Sequence, residues 1–152
     1  MKKFCLISLI TLAVFVVAPQ VARAQGGAKQ GPDVLRDPDM EKDSLHNLEV
    51  ARQYFKLRKA YKASLARCEE IIAGNPTFSK IDEVLLIAGQ SSLRLSENKG
   101  KQSVKTATDK LREEARDYLS LLVNNYPDSR FKDEALGELK SLGGPKPKES
   151  KP

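Results

Sequence analysis

The residues that could carry chemistry are few, and their spacing limits what each can do. His46 is the one histidine of the chain. A zinc or similar site needs three or four converging nitrogen, sulfur or carboxylate ligands, and no second histidine or nearby cysteine completes a set. His46 therefore reads as a solvated side chain on a helix. Cys68 is the only thiol beyond the first 24 residues, the other cysteine being Cys5. It has no partner for a disulfide there and reads as a buried, inert thiol. Glu69-Glu70 and Glu113-Glu114 are adjacent pairs, so on a helix their members point to different faces and form no carboxylate dyad. Gly26-Gly27 and Gly143-Gly144 lack the strand, glycine-rich loop and helix order of a phosphate cradle. These residues imply no catalytic, cofactor-binding or metal site. The expectation is a protein that is not an enzyme.

The first residues carry a different signal. Lys2 and Lys3 precede an uncharged apolar run from Phe4 to Ala18, and Ala22-Arg23-Ala24 stands before Gln25. A positive start, a short apolar stretch and small residues at −3 and −1 form a secretory signal peptide, 1–24, with Gln25 as the mature N-terminus. The run is shorter than the roughly 20 apolar residues a spanning helix needs, and no later segment is apolar enough to span. The expected location is periplasmic or secreted. The whole chain has 26 basic and 20 acidic residues, a formal charge of +6. Lys2, Lys3 and Arg23 leave with the leader, so the remainder is only +3. Bases and acids are mixed along it rather than clustered with stacking aromatics, which argues against a nucleic-acid partner.

Residues 25–36 are rich in Gly, Gln and Pro and read as a flexible linker. Asp37-Pro38-Asp39 then starts a helix, with Asp37 as cap and Pro38 in the first turn. Leu45, Leu48, Ala51, Tyr54 and Phe55 line it to about Arg58. Tyr61, Leu65, Cys68, Ile71 and Ile72 line a second helix, expected to end at Gly74-Asn75-Pro76 with Gly74 as a left-handed cap. Ser79 and Asp82 are expected to cap a third helix with one apolar face: Ile81, Val84, Leu85, Ala88, Ser92 and Leu95. After a polar break at 96–101, Ala107, Leu111, Ala115, Tyr118, Leu119, Leu122 and Val123 give a fourth. Phe131, Ala135, Leu136, Leu139 and Leu142 give a fifth, ending at Gly143-Gly144-Pro145. Residues 143–152, polar and rich in Lys and Pro, read as a disordered basic tail. The expected domain, 37–142, is all-α.

A spaced pattern recurs within it. Ser64-x3-Cys68 precedes Pro76 and Ala115-x3-Leu119 precedes Pro127, the small residue standing twelve positions before each proline. This matches the second half of a tetratricopeptide repeat, where a small residue lets two helices approach and proline ends the second. Leu85-x2-Ala88-Gly89 and Leu136-Gly137 match its first half, whereas Arg52 occupies the position of the usual glycine after Ala51. The two prolines are 51 residues apart, against a repeat of about 34, so the second copy carries an insertion before Ala115. The fold expected is a tetratricopeptide-like array of about five antiparallel helices, or about two and a half repeats. Ala115 should sit at a helix crossing, with Arg116 and Asp117 facing water.

Glu114-Ala115-x2-Tyr118-Leu119 followed by Leu122-Val123-Asn124-Asn125-Tyr126-Pro127-Asp128-Ser129 resembles the repeats of the BamD outer-membrane assembly lipoproteins. It is also similar to the repeat domain of periplasmic TolA-binding cell-division coordinators, as is Tyr61-x2-Ser64 to Asn75-Pro76. The resemblance spans about residues 45–142. It implies a protein–protein interaction module of the bacterial cell envelope, with no cofactor. Two departures limit it: position 25 is Gln rather than a lipidated cysteine, and the repeats are fewer. No functional residue carries over, because the shared positions are packing positions. First helices at 38–58, 80–95 and 130–142 would line a shallow groove for a partner protein, with Glu49, Gln53 and Lys56 as candidate contacts on helix one. The alternative is a small structural or self-associating subunit, since a short array exposes apolar ends.

Overall fold

The computed structural model describes residues 36–101 and 105–148, and every regular element among them is helical. The leader and all but the last residue of the expected linker lie outside the described residues. Helix α1 runs Pro38–Gln53. Its start follows local chemistry: the Asp37 carboxylate accepts the N–H groups of Asp39 at 2.8 Å and Met40 at 3.3 Å, satisfying donors that a helix leaves orphaned. Tyr54–Arg58 then widens into a π-helical turn closed by Lys59 in the left-handed region (φ 50°). Helices α2 (Tyr61–Gly74), α3 (Ile81–Ser96), α4 (Thr108–Asn125) and α5 (Lys132–Lys140) follow. No helix among the described residues is long and apolar enough to cross a membrane.

Each helix packs on its sequence neighbours, and α3 is the centre. On one side Val84, Ile87, Ala88 and Leu95 join Leu48, Ala51, Leu65, Cys68, Ile71 and Phe78 from α1, α2 and the loop before α3. On the other, Leu85 and Leu86 join Leu119, Leu122, Ala135 and Leu139 of α4 and α5. Burying one such aliphatic side chain contributes about 1.5–3 kcal/mol, so two clusters sharing one helix bind both halves of the domain. Every residue of α3 except Asp82 and Arg94 is buried. The single apolar face expected for it is thus corrected: α3 has cores on two sides, and polar side chains complete its enclosure.

Small residues set the helix approaches. Ser64, fully buried on α2, donates its hydroxyl to the Ala51 carbonyl of α1 at 3.0 Å. A Cβ on Gly89 of α3 would lie 2.6 Å from Leu119 Cγ and 3.3 Å from the Ala115 carbonyl of α4. Only glycine permits that approach. Ala115 is fully buried there, at the crossing expected for it.

Four local expectations are corrected. Gly74 is the last residue of α2 and is not left-handed; Asn75, at φ −141°, ends the helix instead. Ser79 does not cap α3, which starts after Lys80 without a side-chain cap. The Ser79 N–H is taken by the Glu41 carboxylate of α1 at 3.2 Å, and Asp82 accepts the Ser129 hydroxyl at 2.6 Å. Long-range partners here outcompete the local box. Residues 143–148 are not a loose tail but lie along α4, with Lys146 N–H donating to Ser120 Oγ at 2.9 Å. Accordingly Arg116 and Asp117 do not simply face water: Arg116 holds the Gly144 carbonyl at 2.8 Å and Asp117 pairs with Lys146. Residues 149–152 lie outside the described residues.

Candidate functional site

Helices α1, α3 and α5 are joined along one face by charged side chains. On α3 the residues are Glu83, Gln90 and Arg94, spaced seven and four apart and so aligned on one side of the helix. Glu83 is the hub. Arg52 of α1 grips it through two bonds, Nε to Oε1 at 2.7 Å and Nη2 to Oε2 at 2.8 Å. Such a planar fork-to-carboxylate pair is among the strongest side-chain hydrogen bonds. Arg52 also reaches Glu49 at 3.0 Å, and Arg130, just before α5, approaches Glu83 at 3.6 Å. Farther along, Gln90 donates to Glu134 at 2.8 Å and Arg94 to Glu138 at 2.9 Å.

The Glu83 side chain is only 10% exposed, which decides its electrostatics. Burial pushes its carboxyl up. The Arg52 guanidinium bonded to it, with Arg130 and Lys80 nearby, outweighs that and holds it below the usual carboxylate range. Arg52, bonded to Glu83, is raised correspondingly despite its own partial burial. Glu49, Glu83 and Glu138 are paired with arginines, whereas Glu134 accepts from the neutral Gln90 amide. As a chemical surface it offers fixed charges and hydrogen-bonding groups.

Glu49, Gln53 and Lys56 are all exposed. Glu49 is drawn into the array through Arg52. The structure brings neither Gln53 nor Lys56 against another element by a hydrogen bond or ion pair among the described residues. The residues that reasoning from sequence missed are Arg52, Glu83, Gln90, Arg94, Arg130, Glu134 and Glu138. One signal was available: Glu83, Gln90 and Arg94 form a polar stripe at helical spacing in a largely apolar segment.

His46 is exposed, and no group of three or more possible metal ligands occurs among the described residues. Cys68 is fully buried, and burial, with smaller contributions from the charges of Glu69 and Glu83, pushes its thiol up to about 12. Glu69 instead accepts the Tyr118 hydroxyl of α4 at 3.3 Å, and Tyr118 is pushed up to about 12 by burial and by that neighbouring carboxylate. Compared with known proteins, this chain matches no family model, no curated sequence and no solved structure.

Proposed function

We propose that this protein is a non-enzymatic scaffold of the bacterial cell envelope, built on tetratricopeptide-like repeats. In this reading it is exported by cleavage after Ala24 and holds a partner protein against α1, α3 and α5. The observation that supports it best is the Arg52–Glu83–Arg130 array, which ties α1, α3 and the start of α5 into one continuous polar face. These are the three segments that the repeat pattern assigns to first helices. Fixed charges held by neighbours give specificity at low ordering cost, because the side chains are already oriented before a partner arrives. Arg130, 77% exposed at its side chain, and Lys56, exposed in the π-helical turn after α1, are charges accessible to a partner.

The test is affinity capture from envelope extract at physiological salt, followed by identification of the retained protein. Wild-type bait should retain a specific partner, and Lys56→Glu with Arg130→Glu should lose it by at least tenfold, with thermal melts verifying that the variant still folds although it sets a carboxylate beside Glu83. Retention undiminished by the double reversal, or no specific partner at all, rejects the reading. Light scattering at micromolar concentration should show a monomer; a stable dimer would favour a self-associating subunit.

A further inference from the structure

The segment that follows α5 is attached in an unusual way. Leu142 packs beside the α4–α5 core. Gly143 and Gly144 come next, both at positive φ (87° and 85°) and both with open space where a Cβ would be. On both sides of this joint α4 grips mainly the backbone. Arg112 donates to the Ser141 carbonyl at 2.8 Å and Arg116 to the Gly144 carbonyl at 2.8 Å. Ser120 accepts the Lys146 N–H at 2.9 Å and Asn124 donates to the Lys146 carbonyl at 2.9 Å. Arg112, Arg116, Ser120 and Asn124 stand four residues apart, a single row along the helix. One side chain of the segment is held by charge: the Lys146 ammonium, between Asp117 and Glu113. Pro145, Pro147 and Lys148 are exposed.

A segment that served only to stabilise the fold would bury apolar surface, since that is the main source of stability. In this one no described residue after Leu142 is buried, and Pro145 and Pro147 are exposed. Its attachment consists of main-chain hydrogen bonds, one ammonium between two carboxylates and a long bond from Lys148 Nζ to the Asn124 carbonyl at 3.4 Å, contacts that another extended segment with lysines could make equally well. Main-chain bonds give affinity without reading sequence, and a charged pocket supplies the selectivity. We propose that the outer face of α4 is a peptide-binding face for an extended, lysine-bearing segment of a partner protein. Residues 143–148 are its built-in competitor, released by rotation at Gly143-Gly144. Tethering gives the internal segment an effective concentration of order millimolar, so a partner binds only by outcompeting it. This face is independent of the one formed by α1, α3 and α5.

The experiment uses the full chain and a fluorescent synthetic peptide with the sequence of residues 142–152, titrated by anisotropy. Lys146→Ala and Lys146→Gln remove the charged hold of the internal segment at a surface position, and thermal melts of both verify folding. Each should bind the peptide at least tenfold more tightly than the wild-type chain. Adding Asp117→Asn and Glu113→Gln should abolish the gain, as should replacing the peptide's own first lysine by alanine. Equal peptide affinity for wild-type and Lys146 variants overturns the proposal, as does binding that survives loss of both carboxylates. A wild-type dimer formed by exchange of this segment between copies would overturn the assignment to a separate partner.

Discussion

At the scale of single residues, the domain depends on what is small. Gly89 and Ala115 meet where α3 crosses α4, and Leu119, fully buried beside them, has no room to withdraw. Gly89→Ala and Ala115→Leu should each lower stability by about 1–3 kcal/mol through overpacking, measured as a shift in thermal or urea midpoint. A neutral Ala115→Leu would mean that α4 is rotated away from this crossing. The neighbouring serines behave oppositely. Ser91 and Ser92 are fully buried, and their hydroxyls have no hydrogen-bond partner among the described residues. A buried hydroxyl without a partner costs about 1–3 kcal/mol of desolvation, whereas removing it is nearly neutral or stabilising. Ser91→Ala and Ser92→Ala should therefore leave the melting temperature unchanged or raise it. A loss above about 1 kcal/mol in either would reveal a bound water that these hydroxyls satisfy.

At the scale of elements, the ion pairs that link α1, α3 and α5 make stability depend on acid. Glu83 titrates below the usual carboxylate range in the folded chain, so its contribution is present above about pH 4.3, the unfolded value. It is lost as pH falls through the folded value. Glu83→Gln should cost about 1–3 kcal/mol at neutral pH, discounted from a fully buried pair because Arg52 is 25% exposed at its side chain. The gap between variant and wild type should narrow as pH drops below about 4. A gap constant from pH 7 to 3 would show that the carboxylate's charge does not stabilise the fold. The same elements mark what can be read without coordinates. Helix bounds were legible because Asp37, Pro38, Pro76 and Pro127 act on the chain beside them. The crossing at Ala115 was legible because small-residue spacing is a direct signature of close approach. The partners of Glu83 and Ser79 were not, since they come from 31 and 38 residues away and leave no local trace. Nor was the docking of residues 143–148, because main-chain hydrogen bonds to polar side chains produce no apolar periodicity.

At the scale of the whole molecule, one thiol reports on the integrity of the core. Cys68 lies between α1, α2 and α3 and is fully buried, with its pKa pushed up to about 12. The thiolate is the reactive species, so on a Cys5→Ser background a disulfide reagent at pH 8 should modify it only after opening of the fold. Labelling should be slow in buffer and complete within the mixing time in denaturant. Fast labelling in buffer would mean that the α1–α2 pair opens on its own. Helix α3 answers the complementary question of how cooperative the domain is. With every residue but Asp82 and Arg94 buried, its middle turns do not reach solvent by fraying or by the departure of one neighbour. In deuterated water the amides of Leu86 to Leu93 should therefore be the last to exchange, and at a common rate set by complete unfolding. Their protection factors give the global free energy of unfolding at zero denaturant. If the amides on the α2 side exchange earlier than those on the α4 side, the two cores open separately and the molecule consists of two cooperative units sharing one helix.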